Sequence, residues 1–126
     1  MGSGDTEVVG ALLERFIDGD SDGALAYYAA EVEFDARHFP DGQIYHGHDG
    51  VRAFMRSLRA AFTDYELAVE GIFKADDEVV VLATERGRGR ASGAFFEVAS
   101  AQRYTVRDGR VVRWRVRSRS GASRAP

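Results

Sequence analysis

The feature that most constrains this chain is a change of hydrophobic period near residue 65: before it apolar residues recur at helical spacing, and after it they alternate. From Thr6 to Asp18, the residues Val8, Val9, Leu12, Leu13, Phe16 and Ile17 fall three or four positions apart, and Gly19 follows as a terminator. Asp20 or Ser21 caps a second, short helix running through Tyr28. Glu31 to Asp35 alternates as a first strand, with Val32 and Phe34 on one side, and Pro40-Asp41-Gly42 reads as a turn. Gly47-His48-Asp49 then introduces a third helix, whose Val51, Phe54, Met55, Leu58 and Phe62 make the clearest apolar stripe in the sequence.

Beyond Tyr65 four alternating runs, Tyr65–Lys74, Val79–Arg88, Phe95–Arg107 and Arg110–Arg119, are parted by Asp76-Asp77, Ser92-Gly93 and Asp108-Gly109. An Asp-Gly pair between alternating runs marks a tight hairpin, so these runs predict an antiparallel meander. Helices first and strands last indicate an α+β domain, with three helices covering one face of a curved sheet and the first strand joining its edge.

Composition supports a single folded domain: 126 residues, 44% hydrophobic and 29% charged, exclude a disordered or fibrous chain. No apolar stretch approaches the ~20 residues of a membrane span, so a cytoplasmic protein without membrane contact is expected. The absence of cysteine excludes disulfides, a thiolate nucleophile and Cys-ligated zinc. Residues 1–5 read as a disordered N-terminal segment, 6–119 as the domain and 120–126 as a flexible tail. Residues 1–85 carry six basic and 18 acidic side chains and residues 86–126 eleven and two, giving net charges of −12 and +9. The arginines of the basic half alternate with apolar residues, which fits a folded half packed on an acidic one better than a nucleic-acid-binding tail. Glu66, Glu70, Glu85 and Glu97 are suitable partners for the outward Arg103, Arg113, Arg115 and Arg117, within the chain or across the two-fold axis of a homodimer.

Strand parity selects the side chains that face the helices. In the last run Val112, Trp114 and Val116 share one face and Arg113, Arg115 and Arg117 the other. In the third run Phe96, Val98, Gln102, Tyr104 and Val106 form the more apolar face. Gln102 is then a buried amide, and an unpaired one costs about 1–3 kcal/mol, so it needs a partner. Arg86 has the parity of Val80, Leu82 and Thr84 and is the one arginine this parity could turn inward, or else a rim residue paired with an acid.

Several motifs in their order and spacing resemble the nuclear transport factor 2-like superfamily, in its SnoaL-like branch. They are Gly19-Asp20 after the first helix, Pro40-Asp41-Gly42 with Tyr45-x-Gly47-x-x-Gly50-Val51-Arg52, Arg88-Gly89-Arg90-x-Ser92-Gly93, and Arg107-Asp108-Gly109-Arg110-Val111-Val112-Arg113, together spanning roughly residues 6–119. The resemblance implies a cone, the curved antiparallel sheet wrapped around three N-terminal helices, with an apolar pocket for a small hydrophobic molecule, a homodimer through the sheet and no cofactor. Ketosteroid isomerase relatives carry a carboxylate base near the end of the first strand and a tyrosine on the first helix; here these positions fall on Ala36, with Asp35 one residue early, and on Leu12. The aspartate of the polyketide cyclases has no counterpart either, since the only acid after Glu97 is Asp108 in a hairpin turn. No pair of inward aspartates accompanies Arg86 as the epoxide hydrolase relatives require.

With the familiar catalysts absent, the candidate acid/base groups are His38, two residues beyond Ala36 and turned toward the pocket mouth, and Asp35, if a bulge shifts its register. The expected pocket comprises Phe34, Phe54, Met55, Leu58, Phe62, Arg86, Val98, Gln102, Tyr104, Val112, Trp114 and Val116. His38, His46 and His48 cluster within eleven residues, but a metal site also needs a third ligand and supporting carboxylates, so no metal is expected. The expectation is a SnoaL-like protein of unassigned activity that binds a small hydrophobic molecule. The alternatives are an isomerase, cyclase or epoxide-hydrolase-type enzyme acting on a polyketide-, steroid- or terpenoid-like substrate, with Tyr104 as donor, and a protein or nucleic-acid adaptor working through the basic strands.

Overall fold

The computed structural model describes residues 2–39 and 42–119, with side chains from Gly4 onward. Met1, Pro40-Asp41 of the expected turn and residues 120–126 of the expected tail lie outside them. Helix α1 spans Gly2–Ile17, so it begins before Thr6 and takes in most of the segment expected to be disordered. Asp5 in its first turn pairs with Lys74 at 3.3 Å. The helix ends at Gly19, whose φ of +83° is the left-handed conformation of a helix terminator. The Asp20 side chain accepts a hydrogen bond from the Gly23 amide at 2.9 Å and so caps α2, Ser21–Leu25. Tyr28, expected to end that helix, instead opens β1, Tyr28–Asp35.

The remaining elements are β2 (Ile44–His46), α3 (Gly47–Ala61), β3 (Phe62–Ala75), β4 (Glu78–Gly89), β5 (Phe95–Arg107) and β6 (Arg110–Ser118). They form one six-stranded curved, unclosed sheet in the order β2-β1-β6-β5-β4-β3. The meander β3 to β6 is antiparallel throughout. At the β5–β6 turn Asp108 and Gly109 both have positive φ, the geometry a two-residue hairpin requires. β1 lies parallel to β6, which makes the sheet mixed, and it is not the edge strand: β2 pairs outside it, Phe34 opposite Tyr45. A three-residue strand is too short to show alternation, which is why the sequence pattern does not reveal β2.

The concave face buries the apolar stripes of α1 (Val9, Leu12, Leu13) and α3 (Val51, Phe54, Met55, Leu58) in one core. α3 packs on β1 and α1 on β3, which leaves the sheet's far face to charged residues. There Glu78 holds both Arg103 (3.0 Å) and Arg115 (3.1 Å), Glu70 holds Arg119 (2.7 Å) and Glu33 holds Arg113 (3.6 Å). The acidic and basic halves of the sequence thus meet within one chain.

Two departures from parity reshape the concave face. In β4 the inward residues are Val79, Val81, Ala83 and Glu85, while Leu82, Thr84 and Arg86 are half-buried and face away. Val79–Ala83 is apolar at every position, so alternation alone does not say which half of it faces in. In β6 the register shifts between Thr105 and Val106: Thr105 pairs with Arg113 and Val106 with Val111, so Val112 is an extra residue in a β-bulge. Val111 is fully buried, and Val112 lies on the outer face beside Glu33 and Glu78.

Candidate functional site

Where α1, α3 and the concave sheet converge, they leave a cavity of about 40 Å³. Its wall is largely aromatic: Phe16 from α1, Tyr28 and Phe34 from β1, Phe39 from the following loop, Phe54 from α3, Tyr65 from β3, Tyr104 from β5 and Trp114 from β6. Trp114 stacks on Phe34 with ring centroids 4.0 Å apart and the planes 13° from parallel, and Phe34 in turn meets Phe54 at 4.9 Å. The tryptophan therefore fills much of the cone, and the space beside it admits about three waters or a head group of a few heavy atoms.

Polar groups from several strands face this space. The Gln102 Oε1 accepts from the Tyr104 hydroxyl at 2.7 Å and from the Trp114 indole N–H at 3.1 Å, so the amide expected to need a partner has two. Both bonds go to the oxygen, which fixes the amide orientation and turns Nε2, a donor, to the remaining side. Burial raises the Tyr104 and Tyr28 phenols above their ordinary acidity range, so both remain protonated donors at neutral pH.

The acidic group among them is Glu85, which the sequence places among the partners of the outward arginines and the structure places inside. It is buried, with only 3% of its surface exposed. The Tyr65 hydroxyl donates to its Oε1 at 3.1 Å, and burial, followed by the Glu85 charge, pushes the Tyr65 phenol well up. Oε2 is buried and has no hydrogen-bond partner. Glu85 and Phe39 also line a second space, a cleft of about 420 Å³ beside the inner cavity that we call the mouth cleft, with His38, Phe62, Phe95, Phe96 and Val98. Buried polar atoms are almost always satisfied, so an orphaned carboxylate oxygen between a cavity and its mouth is the clearest chemical signal in this molecule.

Of the expected pocket residues, Phe34, Phe54, Met55, Leu58, Gln102, Tyr104 and Trp114 come together around the cavity. Phe62 and Val98 belong to the mouth cleft, where His38 also lies with its ring edge-on to Phe39 at 5.3 Å. Val116 packs against the core from outside the cavity wall. Val112 is carried out by the bulge, and Arg86 points away from the pocket to Glu97 (3.4 Å) and Glu66 (3.9 Å) as a rim ion pair. Asp35 faces away as well: Arg37 grips it with two side-chain hydrogen bonds of 3.0 and 2.8 Å and holds its carboxyl below the usual range. The sequence position of the expected base, Ala36, is fully buried. His46 is exposed and His48 holds the Tyr28 carbonyl at 2.8 Å; among the described residues no group of three potential metal ligands forms. The cavity residues not singled out from sequence are Leu12, Leu13 and Phe16 on the α1 stripe, Tyr28, Phe39, Tyr65, Leu67 and Glu85. Correct parity for β4 would have found Glu85.

A family model described as the SnoaL-like domain matches residues 9–114. The chain belongs to the SnoaL-like domain family. Solved structures agree on the fold. One is an NTF2-like protein of unknown function from Burkholderia pseudomallei, 25% identical, with a TM-score of 0.80 over 92% of this chain and 91% of that one. A SnoaL-like polyketide cyclase, so named provisionally, from Jannaschia sp. CCS1 is 23% identical, with a TM-score of 0.79 over 99% and 95%. A protein of ketosteroid isomerase-like fold from Catenulispora acidiphila, in complex with trimethylamine, is 16% identical, with a TM-score of 0.78 over 93% and 88%. No curated protein matches the chain. No helix among the described residues is long and apolar enough to cross a membrane.

Proposed function

We propose that this SnoaL-like domain binds a small, largely apolar molecule in the cone, with its polar end in the inner cavity and its body in the mouth cleft. The observation that carries this reading is the buried Glu85 carboxylate: one oxygen is held by Tyr65 and the other is left without a partner in an aromatic wall. A core selected only for stability would replace such a group by an apolar one, because burying an unpaired polar atom costs free energy that packing does not return. The mouth cleft has the volume and the apolar lining with few polar groups usual for small-molecule sites. Trp114, the only tryptophan, stands in the cavity wall and reports on it directly. Titration with flat polycyclic ketones and terpenoids, followed by its fluorescence and by calorimetry, should show saturable binding. Absence of binding in both wild type and Trp114→Phe across the panel would refute the pocket.

The same carboxylate favours a second reading, in which the pocket turns its ligand over by acid–base chemistry. Glu85 Oε2 would take a proton from carbon beside a carbonyl, while the Gln102 amide N–H donates to the carbonyl oxygen, and the proton returns to carbon from the same carboxyl group. This puts the acid/base role on Glu85 in place of Asp35. His38, in the mouth cleft, is left to meet the ligand's body. Exchange of such protons for deuterium in heavy water, fast with wild type and lost in Glu85→Gln, would support turnover; equal exchange by both proteins would refute it.

A homodimer through the outer face of the sheet completes the proposal. It is supported by Phe73 of β3, 45% exposed on the strand edge, although the outward arginines already find acids within the chain. Sedimentation as a monomer at micromolar concentration would refute it.

A further inference from the structure

The polar end of the ligand can be specified from the atoms that wait for it, on the reading that the cone is a small-molecule site. Glu85 Oε2 needs a hydrogen-bond donor. No ion pair among the described residues includes Glu85. The inner cavity has no basic side chain in its wall, and His38 is the one at the mouth cleft. A neutral donor, such as an alcohol, would supply the hydrogen bond alone, whereas an ammonium supplies both the N–H and the opposite charge to a carboxylate that no cation of the wall faces, and charge-assisted hydrogen bonds are the stronger ones.

The surroundings discriminate in the same direction. Phe34, Tyr65, Tyr104 and Trp114 put aromatic rings in the cavity wall, and an aromatic face open to such a space attracts a cation by an amount that grows as water is excluded. The Tyr104 hydroxyl and the indole N–H are both spent on Gln102 Oε1, so an anion would find a neutral donor in Gln102 Nε2 but no cation in the wall, and would stand beside the Glu85 carboxylate. The cavity volume suits a head group of a few heavy atoms, and Glu85 lines both the inner space and the cleft of Phe62, Phe96 and Val98.

We infer that the inner cavity is a site for the protonated head of a small amine bearing at least one N–H, donated to Glu85 Oε2, with the apolar remainder of the ligand in the mouth cleft. The site therefore selects an apolar molecule with one ammonium group over its neutral isostere, and selects N–H-bearing cations over quaternary ones.

Three probes separate charge from hydrogen bonding: benzylamine, a cation with N–H donors at pH 7; benzyl alcohol, a neutral donor of the same shape; and benzyltrimethylammonium, a cation with no N–H. Calorimetric titration of the wild-type chain should give benzylamine an affinity roughly tenfold or more above either of the others. Glu85→Gln, which keeps an acceptor for Tyr65, should lose that preference while its melting temperature stays at or above that of wild type. Benzyl alcohol binding as tightly as benzylamine to the wild-type chain, or Glu85→Gln retaining the amine's advantage, would overturn the ammonium assignment. Binding of polycyclic ketones without any binding of benzylamine would overturn it as well and leave the pocket standing. Failure of every probe, amines and ketones alike, would remove the pocket itself and the assignment with it.

Discussion

Replacing Gln102 by leucine isolates the polar network that shapes the cavity. Gln102, Tyr104 and Trp114 are 4%, 2% and 4% exposed, and one amide oxygen serves both the hydroxyl and the indole N–H. Leucine leaves two buried donors unpartnered, at about 1–3 kcal/mol each, and returns about 1–2 kcal/mol through its added apolar surface. The net expectation is a loss of about 2–4 kcal/mol; for 126 residues that lowers the melting temperature by about 8–16 °C. Urea denaturation measures the free energy directly, with the slope of the transition as a check that the unfolded state is unchanged. The double variant Gln102→Leu with Tyr104→Phe should recover part of the loss, since the phenylalanine removes one orphaned donor. A loss below about 0.5 kcal/mol, or a double variant that falls by the sum of the two single losses, would show that the network does not bear the energy assigned to it.

Other expectations follow from particular elements. Val111→Lys should unfold the domain or cost about 4 kcal/mol or more, whereas Val112→Lys, on the outer face near Glu33 and Glu78, should change stability by less than about 0.5 kcal/mol; equal effects in urea would mean that the bulge is misplaced. Gly47→Ala should cost about 1–3 kcal/mol, because φ is +73° and the new Cβ would come within 3.2 Å of the Ala30 carbonyl oxygen; an unchanged melting temperature would contradict the strain. The carboxyls of Asp20, Asp35 and Glu70 are held below their ordinary range by the Gly23 amide, by Arg37 and by Thr84 respectively. Their stabilisation is therefore complete above the unfolded carboxylate range and is lost as the pH falls below about 4; a stability profile flat across that window would contradict it.

How much could be read from the sequence depended on contrast between the two faces of each element. α3 has a polar face set against its apolar stripe, and its start and its inward Val51, Phe54, Met55 and Leu58 follow from the spacing alone, whereas Phe62, which the same spacing assigns to the helix, lies beyond its end at Ala61 and opens β3. In β5, Glu97, Arg103 and Thr105 mark the outside, so the inward set through Gln102 and Tyr104 is legible. β4 lacks that contrast from Val79 to Ala83, so its parity is open by pattern, and with it the location of Glu85. The bulge at Val112 leaves no compositional mark, because Val111 and Val112 are the same residue type. The parallel pairing of β1 with β6 brings together segments some 80 residues apart, which no local period reports. For Asp35 the parity is plain, and the structure adds the Arg37 clasp that holds it outward.

A high-resolution crystal structure grown with benzylamine reads the Glu85 site atom by atom. The account predicts a ligand nitrogen about 2.6–3.2 Å from Glu85 Oε2, the Tyr65 hydroxyl still on Oε1, and the indole of Trp114 still stacked on Phe34. An inner cavity without ligand, with the Glu85 carboxylate swung out through the mouth into solvent, would contradict it.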